Sequence, residues 1–225
     1  MGVVANKRFY VRLGLVFLCG LAACAIRESG RVDSAALQHG ASGPILRVVI
    51  LGDPSDTRVA MAREAIVHWT SEFRRLGRRV QFDSGTVRTN SIPDDVVRSA
   101  QGEAVFGGGP ATNRLLAALS DIPGDIVIVL TQVDLISFSV HWRSGSKGVV
   151  AVRRADIWPL SLPNTVRNVV AHELGHVLGL SHNSDSTTLM CGRPASCRPT
   201  AFVSDTARFF PLTQDDERAI EARWP

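Results

Sequence analysis

The eleven residues His172-Glu173-Leu174-Gly175-His176-Val177-Leu178-Gly179-Leu180-Ser181-His182 constrain this chain more than any other stretch. They contain three of its six histidines. On a helix, residues four apart share a face, so His172 and His176 can grip one ion between them. Glu173 lies beside that face and can reach a metal-bound water without being a ligand. Gly179 permits a left-handed turn that stops the helix and brings His182 back as a third ligand. Three neutral ligands leave the ion its full charge and an open position for water. Such an ion lowers the pKa of that water and generates a nucleophile near neutral pH. A helix with two surface histidines is the bland alternative for the first five residues, and Gly179 and His182 count against it.

Eight residues past His182 stands Met190, within Thr188-Leu189-Met190-Cys191-Gly192. Alone it would read as an ordinary core methionine. The histidine motif followed by this methionine resembles the metzincin clan of zinc peptidases, in which a methionine turn forms an apolar floor under the metal. Gly179 to Asp185, Leu189-Met190, and Leu212-Thr213-Gln214-Asp215-Asp216 leading to Ile220 are similar to the matrixins in particular. The resemblance covers about Ile45 to Trp224, with its specific motifs in residues 172–220. It implies one catalytic Zn2+ held by His172, His176 and His182, Glu173 as general base, Met190 as the turn residue, and a protein or peptide substrate.

The resemblance also implies an α+β, zincin-like fold: a twisted mixed sheet of about five strands, two long helices and a small C-terminal subdomain. Three departures stand out. Cys191-Gly192 replaces the aromatic residue and proline usual in matrixins. No cysteine-switch segment is found, so latency through a zinc-bound thiol is not expected. Neither a histidine-rich loop for a structural zinc nor a clear calcium loop is found. Leu130 to Leu135 resembles archaemetzincins, but Asn183 and Thr188 occupy two places where those proteins carry zinc-binding cysteines. Tyr10, the single tyrosine, lies near the start of the chain, so no tyrosine can assist at the metal and transition-state charge falls on zinc and backbone donors.

The chain begins with Lys7, Arg8 and Arg12, then an apolar run from Leu13 to Ala23 that ends at Leu21-Ala22-Ala23-Cys24. That run has the size of a signal-peptide core and is shorter than the roughly 20 residues of a membrane span. Its end resembles a bacterial lipobox, in which the cysteine is lipidated. An ordinary secretory signal or a short uncleaved anchor is the other reading. In every case the remainder lies outside the cytoplasm, in the cell envelope, anchored to a membrane by lipid at Cys24 or secreted. Residues 1–23 are thus expected to be the signal, 24–44 a Gly- and Ser-punctuated tether, and 45–225 the peptidase-like domain.

Of the four cysteines, Cys19 leaves with the signal, and Cys191 and Cys197 can bridge a small loop in a compartment where disulfides persist. Two sulfurs without further ligands cannot complete a tetrahedral metal site. Residues 1–23 carry three positive charges and no acidic residue, so the formal charge of +4 falls to +1 without them. No nucleic-acid partner is implied, and a monomer is expected.

Along the domain, Ile45–Leu51 reads as a strand closed by Gly52-Asp53-Pro54. Asp56 can cap a helix with Val59, Ala62, Ile66, Trp69, Phe73 and Leu76 on one face, ended by Gly77. Residues 80–87 read as a strand with an irregularity at Ser84-Gly85. Helices are expected over 94–100 and 112–119, with a break at Gly107-Gly108-Gly109-Pro110. Residues 125–130 read as a strand buried on both faces. Residues 135–142 alternate like a half-exposed strand, with Ser137, Ser139 and His141 opposite Ile136, Phe138 and Val140. Further expectations are a strand at 148–153, the metal helix from about Thr165 to Leu178, and a last helix opened by a Thr213/Asp216 capping box with Ile220 inward.

His68 reads as a structural or surface histidine, His141 as a lone strand residue, and His39 as part of the tether. Arg153-Arg154 and the group Arg74, Arg75, Arg78 and Arg79 read as solvated surface. Two non-enzymatic alternatives remain: a membrane-anchored metal-binding module, and a lipoprotein that carries zinc. Neither needs Glu173.

Overall fold

The computed structural model describes residues 43–104, 108–140, 147–192, 202–204 and 206–224. The signal segment, nearly all of the tether, Cys24, His141 and Cys197 lie outside the described residues. Among those described, no helix is long and apolar enough to cross a membrane.

Three runs of β-branched and small apolar residues form the centre. These are β2 (Val48–Leu51), β5 (Ile126–Leu130) and β7 (Gly148–Val152), and every residue in them is buried. Strands covered on both faces lose the alternating pattern, which is why they read as continuous apolar runs. They lie parallel, with Val48 opposite Ile126 and Ile126 opposite Gly148. β4 (Thr86–Arg88) extends the sheet on one side in parallel, and β6 (Phe138–Val140) closes the other side antiparallel to β7. The five-stranded order is β4-β2-β5-β7-β6, so β6 is an edge strand.

The two long helices, α1 (Arg58–Arg75) and α4 (Pro163–Val177), pack on one face of this sheet. They meet Val48, Ile50, Ile126, Ile128, Val150 and Val152 there. The anticipated face of α1 is the buried one, from Val59 through Phe73. On the opposite face lie α2 (Asp94–Ala104) and α3 (Pro110–Ala118), packed on Val49, Leu51, Val127, Val129 and Ala151. The Glu103 carboxylate ties these two together by accepting from the backbone N–H groups of Ala111 (2.6 Å) and Thr112 (3.0 Å). This satisfies donors that any helix start leaves open.

Two expected strands are each divided. Residues 45–51 split at Arg47 into β1 (Ile45–Leu46) and β2, and residues 80–87 split into β3 (Gln81–Phe82) and β4. β1 pairs with β3 and β2 with β4, in separate sheets. Asp83 explains the shared break. Its Oδ1 accepts from Val48 N at 2.8 Å and from Gly85 N at 3.1 Å, and Gly85 takes a φ of +76°. Residues 135–142 are also reshaped: only 138–140 are strand among the described residues, and Ile136 is 63% exposed rather than inward.

The last helix, α5 (Gln214–Arg223), opens with the expected reciprocal capping box between Thr213 and Asp216. Ile220 and Trp224 carry it into the α1–α4 cluster, and Trp224 Nε1 donates to Leu178 O at 3.1 Å, against the end of α4.

α1 is fixed at its start by a buried cation. Arg58 is 1% exposed, and its guanidinium donates to the Asp56 carboxylate and to the carbonyls of Thr131, Val152 and Arg153. It therefore joins the helix to the C-terminal ends of β5 and β7. Burial raises the Asp56 carboxyl, but the hydrogen bonds and charge of Arg58 outweigh it and the net pKa lies below the ordinary value. Arg58→Met keeps the stem and strands three carbonyls and a carboxylate. Urea denaturation is expected to show a loss of about 3–5 kcal/mol, and a loss under about 1 kcal/mol would refute this role.

Candidate metal centre

α4 begins at Pro163, two residues before the expected Thr165, because proline at the first helical position gives up an N–H that has no helical partner anyway. Thirteen of its fifteen residues are buried. It ends where the sequence places the turn. Gly179 has φ +102°, Gly179 N donates to His176 O at 3.0 Å, and Leu180 N reaches back to Gly175 O at 2.9 Å. This paired C-terminal cap reverses the chain and delivers His182 to the two helical histidines.

The three imidazoles converge. Nε2 of His172 lies 2.9 Å from Nε2 of His176 and 3.2 Å from that of His182, and the last two are 2.9 Å apart. His172 is buried, His176 half-buried and His182 exposed, so the cluster opens from the core towards solvent. His172 Nδ1 lies 2.6 Å from Leu189 O, and His176 Nδ1 lies 2.8 Å from Leu180 O. A carbonyl oxygen can only accept, so both Nδ1 atoms carry hydrogen and both Nε2 atoms of the neutral rings present lone pairs. Lone pairs this close repel unless a cation lies between them. Donation of the outer ring N–H to a carbonyl is also how metal-ligating histidines are oriented. The donor set fits a zinc ion.

Glu173 is 2% exposed and accepts from Ser139 Oγ at 3.0 Å through Oε2. Met190 is fully buried beneath α4. A Cβ on Gly175 would come within 2.6 Å of its sulfur and 3.1 Å of the Trp69 ring, so only glycine allows this approach. Leu189, next to Met190, supplies the carbonyl that orients His172. Asn183 N donates to Met190 O at 3.0 Å and Gly192 N to Asn183 O at 3.1 Å, which closes the loop between third ligand and methionine. Cys191 is buried and disulfide-bonded.

Comparison with known proteins agrees with this geometry. The matrixin family model, peptidase family M10, matches residues 131–224. Matrix metalloproteinase-27 of Homo sapiens is 44% identical over 54 residues, and that of Tupaia belangeri 43%. Each match covers 24% of this chain, and the chain spans 9% of either relative's length. The crystal structure of an archaemetzincin from Methanopyrus kandleri superposes with a TM-score of 0.53 at 19% identity. That match covers 83% of this chain and 98% of the other. The fold is metzincin-like.

Within this metzincin-like frame, α4 carries more than the ligands. Asn164, Asn168, His172 and His176 recur every four residues along one face. The first two hold the segment that follows the methionine turn. Asn164 Nδ2 donates to Phe202 O at 3.1 Å, and its Oδ1 accepts from Arg208 N at 3.0 Å. Asn168 Nδ2 donates to Arg208 O at 2.8 Å, and its Oδ1 accepts from Phe210 N at 3.0 Å. Phe202 is thereby set beside His172, with ring centres 6.3 Å apart. The sequence reading passed over both asparagines. Their four-residue spacing before His172 was the available signal. Ser139 was assigned only to the polar side of its strand. Trp69, placed correctly on the inner face of α1, also donates from Nε1 to Ala171 O at 2.8 Å.

His68 is structural, as expected, and stands apart from the ligands. Its ring stacks on Phe209 at 4.1 Å, and its Nε2 is buried without a hydrogen-bond partner among the described residues. Burial pushes its pKa down from 6.5 to about 4, with Glu72 raising it and Arg75 lowering it. The unfolded chain therefore binds this proton more readily, and stability present above pH 6.5 is lost as pH falls towards 4. His68→Phe keeps the stack and removes that proton. Its unfolding free energy, followed by urea titration, is expected to fall less than wild type between pH 6.5 and 4. Equal slopes would reject the assignment.

Proposed function

We propose that this chain is a zinc-dependent endopeptidase that hydrolyses peptide bonds in extracytoplasmic proteins or peptides. The observation that carries this reading is the convergence of three Nε2 atoms, two of them held as lone-pair donors, with the buried Glu173 next in sequence to His172. His172, His176 and His182 would hold the ion. When bound, zinc supplies the positive charge that acidifies a coordinated water and polarises the scissile carbonyl. Glu173 takes the proton of the attacking water and delivers it to the leaving amine. Met190 packs beneath α4 against Gly175, and the carbonyl of its neighbour Leu189 holds His172.

The substrate lies extended along the outer edge of β6, which pairs with no strand among the described residues, adding a strand to the sheet. Support for this comes from the order of the strands, which leaves β6 at the edge, and from the reach of its Ser139 to Glu173. A module that merely binds or carries zinc gives Glu173 no task.

Leu21-Ala22-Ala23-Cys24 supports a location outside the cytoplasm, with a lipid on Cys24 tethering the chain to a membrane, or secretion if Cys24 carries none. Growth of producing cells with labelled palmitate is expected to label the wild-type protein and leave Cys24→Ala unlabelled. Label retained in the variant would reject the lipid anchor.

The activity is tested by hydrolysis of a mixed quenched-peptide library, with zinc measured in the same sample. About one zinc per chain is expected in both wild type and Glu173→Ala, as for a three-histidine catalytic site. Turnover is expected to fall roughly 100- to 10,000-fold in the variant. Zinc without turnover in wild type would exclude the peptidase reading, and absence of zinc would exclude the metal centre.

A further inference from the structure

The polar residues of β6 look, from sequence, like the solvent side of a half-exposed strand. In the structure that side is half-buried and lies against α4. Phe138 is buried on the α2–α3 face, so its neighbour Ser139 points to the other face, where α4 lies. There Ser139 Oγ donates to Glu173 Oε2 at 3.0 Å across 34 residues of sequence. We propose that Ser139 is a positioning residue for Glu173, linking the edge strand that receives the peptide to the carboxylate that moves the proton. This rests on the peptidase reading above.

The physical case has three parts. Glu173 is 2% exposed, so its carboxylate depends on protein donors, and a hydroxyl given to a charged acceptor forms one of the stronger hydrogen bonds. A carboxylate also rotates broadly about its last bond, and a donor fixed at Oε2 selects the plane in which both oxygens lie. Finally, the donor is on β6, whose ladder to β7 is fixed by Ser139 opposite Val150. The side chain's place is thus set by the sheet, and a peptide pairing with the other edge of the same strand holds Ser139 further in register. Ser137 is half-buried as well, and its Oγ accepts from Arg153 N at 3.1 Å, anchoring the chain just before Ser139.

The test compares Ser139→Ala, Ser139→Thr, Glu173→Ala and the Ser139→Ala/Glu173→Ala double variant of the full zinc-loaded chain. Ser139→Ala is expected to lower kcat about tenfold, the effect of losing one hydrogen bond to a charged group, with KM and zinc content unchanged. Ser139→Thr, which keeps the hydroxyl, restores kcat. Melting temperature supplies a reading independent of catalysis. Ser139→Ala is expected to lower it by roughly 2–4 °C in the wild-type background and not in the Glu173→Ala background. A fall in melting temperature with unchanged kcat would reduce Ser139 to a structural residue and overturn the proposal. So would an equal fall in both backgrounds. If wild type itself cleaves no peptide, the peptidase reading fails and the positioning role falls with it. The melting cycle then still tells whether the two side chains are coupled, which separates that failure from the loss of the hydrogen bond itself.

Discussion

Burial of α4 leaves its polar side chains no water to turn to. Thirteen of its fifteen residues are buried, and Asn164, Asn168, His172 and Glu173 are among them. A buried polar group without a partner costs about 1–3 kcal/mol. Each must therefore be met by a neighbouring segment, and those meetings organise the domain. Leu189 and Leu180 hold the ligand rings, Ser139 meets Glu173, and Phe202, Arg208 and Phe210 meet the two asparagines. The methionine turn, the edge strand and the C-terminal segment are each fastened to the same helix.

The same constraint ties stability to chemistry. The carbonyls that satisfy the buried imidazoles also set their tautomers, and so aim the Nε2 lone pairs at one point. Close packing beneath the site depends on Gly175, which lets the Met190 sulfur and the Trp69 ring approach α4. Further out, Arg58 fixes α1 against the strand ends and Trp224 closes the end of α4. These contacts hold the surroundings of the metal centre without entering it.

Much of this was legible in order along the chain. The ligand spacing, Glu173, the Gly179 turn and the Thr213 cap each depend on residues within a few positions of one another. The three buried strands announced themselves by unbroken apolar runs. The irregularity at Ser84-Gly85 was legible, but the division at Arg47 and the pairing of the halves in separate sheets were not, because they depend on Asp83 reaching Val48 N, 35 residues away. Alternation in residues 135–142 correctly separated Ser139 from Phe138. It could not say that the polar side would be partly covered by a helix, since that depends on which helix the packing lays over that face.

By itself, then, the sequence determined the histidine stripe, the turn after it and the apolar strands, because helix and strand periodicity are local properties of the backbone. Tertiary structure decided which distant groups those residues meet. It put Ser139 on Glu173, the carbonyls of residues 202 and 208 on the two asparagines, and three strand-end carbonyls on Arg58. The reason is that a buried polar group takes its partner from whatever backbone the packing brings within about 3 Å, and packing is a property of the whole sheet and its helices.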